Sequence, residues 1–166
     1  MFDDEILELA ARTLERCRGL GLMVATAESC TGGLVCGALT AIPGSSDVVD
    51  RGFVTYSYAA KTAMLGVPQA MIVEHGAVSE EVARAMAKGA LLSPRHLSLA
   101  VTGVAGPGSN SQAKPAGLVH YAACLDNRIE HRVHRFGDIG RSEVRRLSVI
   151  AVLKLALDVT ASSRAS

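Results

Sequence analysis

Tryptophan is absent, and Phe and Tyr contribute three residues each. With so few rings, Ala, Val and Leu must fill the core. The same shortage removes the stacking platforms that single-stranded nucleic acids use. Charge of one sign is also missing: 17 Lys and Arg face 16 Asp and Glu, for a formal net charge of +1. That balance excludes a broad electrostatic footprint for DNA or an anionic membrane. A small anionic ligand needs only a local patch and stays open. The four cysteines (Cys17, Cys30, Cys36, Cys124) include no CxxC pair, so neither a zinc site nor a disulfide framework is expected. No apolar run reaches the roughly 20 residues a membrane helix needs. The opening "MFDDEILELAARTLERC" is acidic and amphipathic, unlike a secretory signal. A reduced, cytoplasmic protein is expected, with no metal, no cofactor, no nucleic acid and no membrane partner.

Hydrophobic residues make up 49% and charged residues 20% of 166 positions, an ordinary globular balance. A chain of this length can bury roughly 70% of its unfolded surface without covalent staples. One domain over residues 3–160 is expected, with 161–166 as a frayed tail.

Periodicity supplies the elements. Asp3 or Asp4 caps a helix running to about Arg18, with Ile6, Leu7, Ala10, Leu14 and Cys17 at helical spacing and Gly19 and Gly21 ending it. "LMVATA" reads as a short strand. "TGGLVCGALTA" reads as a helix from Thr31, stopped by Pro43-Gly44. "RGFVTYSY" (51–58) alternates and is rich in strand formers. "AAKTAML" is a short helix ending at Gly66, and Ser79 caps a helix with Glu80 and Glu81 in its first turn. "HLSLAVTG" is a buried strand. "LVHYAACLD" and "IEHRVHRF" form a hairpin across Asp126-Asn127-Arg128, and a last helix spans about 140–159. Strands alternating with helices, then a hairpin, predict an α/β fold: a three-layer sandwich on a mixed, mostly parallel sheet of five to six strands.

Four stretches carry chemistry. In "AESCTGG", Ser29 stands where a strand stops and a helix begins. The unpaired N–H groups there can hold an anion or an oxyanion, or the stretch is only an N-cap turn. In "TYSYAAK", Tyr58 and Lys61 are three apart and share a helix face. A lysine with a depressed pKa is a general base; otherwise this is a surface lysine beside a half-buried tyrosine. "AVTGVAGPGSNSQAKPAG" opens from a strand end into a glycine-rich loop, where ligands gather in open α/β sheets. It matches neither a P-loop nor a dinucleotide fingerprint, and a plain long connection is its ordinary reading. "GRSEVRR" puts Arg141, Arg145 and Arg146 at a helix start, against the dipole. An anionic ligand explains the cluster, as does a solvated basic face. The histidines offer no metal set: His131 and His134, three apart in a strand, face opposite ways.

Taken in order, "AESCTGG", "PGSSDVVDRGFVTYSYAAKTAMLGV", "GAVSEEVARAMAKGA", "AVTGVAGPG" with "KPAGLVHYA", and "FGDIGRSEVRR" resemble the CinA C-terminal-domain family over about residues 5–160. The resemblance implies a three-layer α/β/α sandwich. It also implies hydrolysis of the carboxamide of nicotinamide mononucleotide, giving nicotinic acid mononucleotide and ammonia, in pyridine nucleotide salvage. Some members carry a molybdopterin-binding-like domain with pyrophosphatase activity in front; this sequence resembles the stand-alone amidase form. The family's nucleophile falls on Ser29, and its Tyr and Lys on Tyr58 and Lys61. The strand-end Thr falls on Thr102 and the late Arg on Arg145.

The mechanism so implied has Ser29 attacking the amide and Lys61 taking its proton, with Tyr58 as relay. N–H groups of Cys30, Thr31, Gly32 and Gly33 hold the oxyanion, and Glu28 orients Lys61 or the substrate. Thr102, Gly103, Gly106, Gly108, Arg145 and Arg141 bind the ribose phosphate. Two departures from the family pattern are Ser109-Asn110-Ser111, where further glycines are usual, and "GDIGR", which unsettles the register of Arg141. A nucleotide-binding regulatory module without turnover and an amidohydrolase for another small amide are the competing classes. A homo-oligomer, a dimer first, is expected from the apolar last helix.

Overall fold

The computed structural model describes residues 1–109 and 111–161; Asn110 and residues 162–166 of the tail expected at 161–166 lie outside the described residues, while Ala161 is the last residue of a helix. Helix α1 (Asp4–Leu20) begins where the Asp3 carboxylate accepts the Ile6 N–H at 2.9 Å, and ends at Gly21 with φ +67°. It runs through Gly19, so the stop falls on the glycine whose backbone turns left-handed, not on the first glycine met.

The sheet has five strands, β1 (Met23–Glu28), β2 (Val49–Val54), β3 (His96–Gly103), β4 (Leu118–Leu125) and β5 (Arg128–Arg135), in the order β2-β1-β3-β4-β5. Strand β1 pairs in parallel with β2 and β3, while β3–β4 and β4–β5 are antiparallel. The sheet is therefore mixed and five-stranded, with its pairings divided two and two. Asp126 and Asn127 join β4 to β5 with φ of +51° and +64°, the two-residue turn that suits a twisted hairpin.

Both faces are covered. Val24, Leu97, Leu99, Val101 and Tyr121 meet α1, α2 (Leu34–Thr40) and α6 (Arg141–Ala161) on one side. Ala25, Ala27, Ala100 and Ala122 meet α3 (Tyr58–Leu65), α4 (Gln69–His75) and α5 (Glu80–Ala90) on the other. That second face is floored by alanines, which lets its helices sit close. At Gly89 of α5 an added Cβ would fall 1.9 Å from the Leu65 carbonyl oxygen. His131 and His134 do face opposite sides: His131 meets His120, and His134 meets Tyr121.

Three boundaries differ from the sequence expectation. Strand β2 starts at Val49 and ends at Val54, because the Ser57 hydroxyl accepts the Ala60 N–H at 3.0 Å and starts α3 at Tyr58. The "TYSY" residues thus form a turn and a helix start. Helix α2 begins at Leu34, three residues after Thr31, because Gly32 and Gly33 take φ of +59° and +97°. Helix α4 was not foreseen; it follows Pro68 and is only seven residues long.

Helix α2, between β1 and β2, lies on one face, and α3–α5, between β2 and β3, lie on the other. The connections leaving the carboxyl ends of the adjacent parallel strands β1 and β2 therefore go to opposite faces, and the crevice at those ends is a topological switch point.

Candidate active site

Strand β1 delivers Ser29 to that switch point. Ser29 follows the last strand residue, and its N–H donates to Val101 on β3 at 3.0 Å. Across β1, Thr55 N–H donates to the Glu28 carbonyl at 2.8 Å and extends the β2 pairing by one residue. The backbone around the serine is thus fixed from both neighbouring strands.

Lys61 comes from the first turn of α3 and is only 1% exposed. Its Nζ donates to Ser29 Oγ at 2.9 Å and to the Thr55 carbonyl at 2.6 Å. Burial pushes this ammonium down to about 8, into the range of a working general base. Cys30, next to the serine, is a poor rival nucleophile: burial pushes its thiol up to about 12.

Glu28 serves the turn. Its carboxylate, fully buried, accepts from Thr31 Oγ1 at 2.6 Å, from the Gly33 and Val35 N–H groups at 3.1 and 3.0 Å, and from Cys36 N–H at 2.8 Å. Both oxygens are spent there, so Glu28 orients neither Lys61 nor a substrate. This differs from the expected role, and it also limits which N–H groups of the turn stay free. Gly32 N–H is held by the Ser29 carbonyl and Gly33 N–H by Glu28. Among the described residues, the N–H groups of Cys30 and Thr31 are the ones in the turn that bond no other residue.

A cleft of about 410 Å³ opens above the pair. Ser29, Cys30 and Lys61 line its base, residues Thr102 to Ser109 line one wall, and Tyr56, Tyr58, Lys114 and Arg141 stand around it. Gly103, Gly106 and Gly108 all face it. Thr102 lines it too, but its hydroxyl donates to the Ala77 carbonyl at 2.8 Å, which fixes the wall and takes that donor from any ligand. Tyr58 is 61% exposed at the rim, and no hydrogen bond joins it to Lys61 or Ser29. A relay is unnecessary where the lysine already touches the serine.

The two arginines part company. Arg141, the first residue of α6, lines the cleft; it donates to the Gly106 carbonyl at 2.9 Å and to the Tyr56 hydroxyl at 2.7 Å. Arg145 does not line the cleft. It lies behind the Ser29–Gly33 turn and donates to the Thr31 carbonyl at 3.1 Å, away from the cleft in which the phosphate role was expected. Arg146 is held by Asp3 and Glu143 in exposed ion pairs.

Two cleft residues, Tyr56 and Lys114, and the buried Thr55 beside them escaped the sequence reading. Tyr56 sits two before Tyr58 and was hidden inside an assumed strand. The Thr55 carbonyl that anchors Lys61 carries no side-chain signal. Lys114, in "KPAG", donates to the His75 and Val78 carbonyls and pins the long loop against the α4–α5 connection; a lone lysine in a Gly/Pro loop gives no sign of that.

The CinA C-terminal domain profile matches residues 6–160. The chain belongs to that family. Among solved CinA-family structures, the competence/damage inducible protein CihA from Agrobacterium tumefaciens superposes with a TM-score of 0.92 at 51% identity, covering 98% of this chain and 99% of that one. A nicotinamide-nucleotide amidohydrolase from Pseudomonas putida is 46% identical over 90% of this chain and 94% of its own length. A protein from Caldicellulosiruptor bescii described as a putative competence-damage inducible protein is 48% identical over 81% of this chain. Only 33% of that relative is matched, and 39% of a Synechococcus CinA-like protein, so this CinA domain spans about a third of such relatives. Among its described residues no helix is long and apolar enough to cross a membrane, and no group of three His, Cys, Asp or Glu is placed to hold a metal.

Proposed function

We propose that this CinA domain is an amidohydrolase that converts nicotinamide mononucleotide to nicotinic acid mononucleotide and ammonia, a step of pyridine nucleotide salvage. The observation that carries the proposal is the 2.9 Å contact between Lys61 Nζ and Ser29 Oγ at the base of the cleft. The name of the Pseudomonas putida relative, matched over nearly its whole length, supports the substrate.

Ser29 Oγ attacks the carboxamide carbon while neutral Lys61 takes its proton. The carbonyl oxygen becomes an oxyanion and is received by the N–H groups of Cys30 and Thr31. The C–N bond then breaks, and Lys61 returns the proton to the leaving nitrogen, which departs as ammonia. Water attacks the acyl-serine, Lys61 takes one of its protons and passes it to Ser29 Oγ as the C–O bond breaks, and the acid leaves as a carboxylate after losing its own proton to solvent. The scheme uses no metal. The pyridinium of the bound substrate is a cation and further favours neutral Lys61.

The rest of the nucleotide occupies the far part of the cleft. Arg141, Lys114 and the backbone of Gly106–Gly108 are the groups there that suit a phosphate. Tyr56 and Tyr58 flank the entrance with exposed rings, suited to cover a flat pyridine.

The test is ammonia release from a panel: nicotinamide mononucleotide, its phosphate-free riboside, nicotinamide and an aliphatic amide. Turnover of the mononucleotide well above the others is expected. Preference for another amide moves the substrate assignment. Saturable binding of the mononucleotide without ammonia makes the domain a regulatory binder.

A further inference from the structure

Glu28 is a carboxylate with no exposure at all, a condition charged side chains rarely meet without a partner of opposite sign. Among the described residues it forms no ion pair. All four of its hydrogen bonds go instead to one short stretch, residues 31–36. Ordinary N-caps satisfy one or two donors from a neighbouring residue. Here the acceptor is the last residue of β1 and reaches under Ser29 to the far side of the turn. The 2.6 Å bond from Thr31 Oγ1 closes a ring from Glu28 to Thr31 with the nucleophile inside it.

Thr31 is held in a second way. Its carbonyl accepts from Arg145 of α6 at 3.1 Å and from Leu34 N–H at 3.1 Å. Side chain and carbonyl are both tied, and the N–H alone is unspent. Thr31 is thus fixed at its side chain to β1 and at its carbonyl to α6, and the Ser29–Cys30 peptide that carries the Cys30 N–H is held through the Ser29 carbonyl, which accepts from Gly32 N–H. Gly32 permits that close approach: a Cβ there would stand 3.3 Å from the Arg145 guanidinium.

We infer that Glu28 is the positioning residue of the nucleophile turn: through the Thr31 hydroxyl and the start of α2 it fixes the Cys30 and Thr31 N–H groups where the oxyanion forms. The inference rests on the serine-amidase reading above. Glu28 touches no reacting atom. Its effect belongs to the transition state, in which a donor must already point at charge that has yet to develop.

The test uses a fluorophosphonate probe on the intact protein, with labelling followed by mass. In this reaction the Ser29 O–P bond forms, the P–F bond breaks, fluoride leaves, and Lys61 takes the serine proton. The phosphoryl oxygen draws on the same donors as the amide oxyanion, without needing the natural substrate. Thr31→Val keeps the shape and loses the hydroxyl, Thr31→Ser keeps the hydroxyl, and Glu28→Gln leaves at least the Cys36 N–H or the other three donors facing an amide –NH₂. Expected labelling rates are about tenfold slower for Thr31→Val, within about twofold of wild type for Thr31→Ser, and about 100-fold slower for Glu28→Gln. With nicotinamide mononucleotide the same ranking appears in kcat with KM unchanged, and the pH dependence stays where Lys61 puts it.

Equal losses in Thr31→Val and Thr31→Ser, a wild-type rate in Thr31→Val, or losses that appear in KM would overturn the inference. An unlabelled wild-type Ser29 overturns it together with the serine mechanism. The stated ranking with no ammonia from the mononucleotide supports the positioning role and overturns only the substrate.

Discussion

Lys61 Nζ and Ser29 Oγ stand 2.9 Å apart although 32 positions separate them in the chain. One residue directly follows a buried strand and the other sits in the first turn of a helix on the opposite face from α2. The Thr55 carbonyl, anchored to Glu28 through the backbone, takes a second Lys61 proton and aims the amine. The pair therefore depends on sheet register, and both partners inherit its rigidity.

With Lys61 as the proposed base, its value of about 8 sets the expected pH dependence. Below that value most Lys61 is protonated and cannot accept from Ser29. The rate constant kcat/KM should rise about tenfold per pH unit up to about pH 8, then level off. A flat profile between pH 6 and 9 would remove Lys61 as the base. Lys61→Ala should lower kcat by about 10³-fold.

The same lysine links stability to pH. Its folded-state value, about 8, lies below the ordinary 10.5, so the unfolded chain binds more protons between those values. Stability attributable to Lys61 must then rise as pH climbs from about 8 to about 10.5, and below 8 burial of the charge costs the fold about 3 kcal/mol. Lys61→Met removes the linkage. Urea titrations at several pH values should show wild type gaining on Lys61→Met across that window, and parallel curves would refute the depressed value.

Arg141 and Arg145 should separate cleanly in kinetics. Arg141→Ala is expected to raise KM for the mononucleotide at least tenfold and to change the riboside little, since the side chain lines the cleft. Arg145→Ala removes the donor to the Thr31 carbonyl and should lower kcat on both substrates alike. The opposite pattern, with Arg145 discriminating phosphate, would return it to the substrate side.

Gly89 offers a test of the packing of α5 on α3, away from the cleft lining. Its missing Cβ leaves room for the Leu65 carbonyl, so Gly89→Ala forces α5 away from α3. A loss of about 1–3 kcal/mol is expected by chemical denaturation, in place of the gain that alanine brings to an unencumbered helix.

Most elements were legible because local chemistry agreed with the fold. Asp3, Ser79 and the Asp126-Asn127 turn are signals that act within a few residues, and the structure uses each as such. Residues 51–58 misled because alternation continues past Val54, while the Ser57 cap that ends it looks like one more polar strand position. The site was legible as a set of chemistry-bearing turns, but not as geometry. Glu28 beside Ser29 reads in sequence as a group that orients Lys61 or the substrate, and only the fold shows its carboxylate turned under the strand end. Arg145 and Arg141 lie one helical turn apart, and periodicity cannot say which of the two faces a cleft.

The central claim is that Ser29, deprotonated by Lys61, opens a carboxamide. The most direct measurement is ammonia release from nicotinamide mononucleotide by wild type and Ser29→Ala, each shown to be folded by its thermal transition. The account predicts steady release by wild type and none above background from Ser29→Ala. Release by Ser29→Ala at a rate near that of wild type would contradict it.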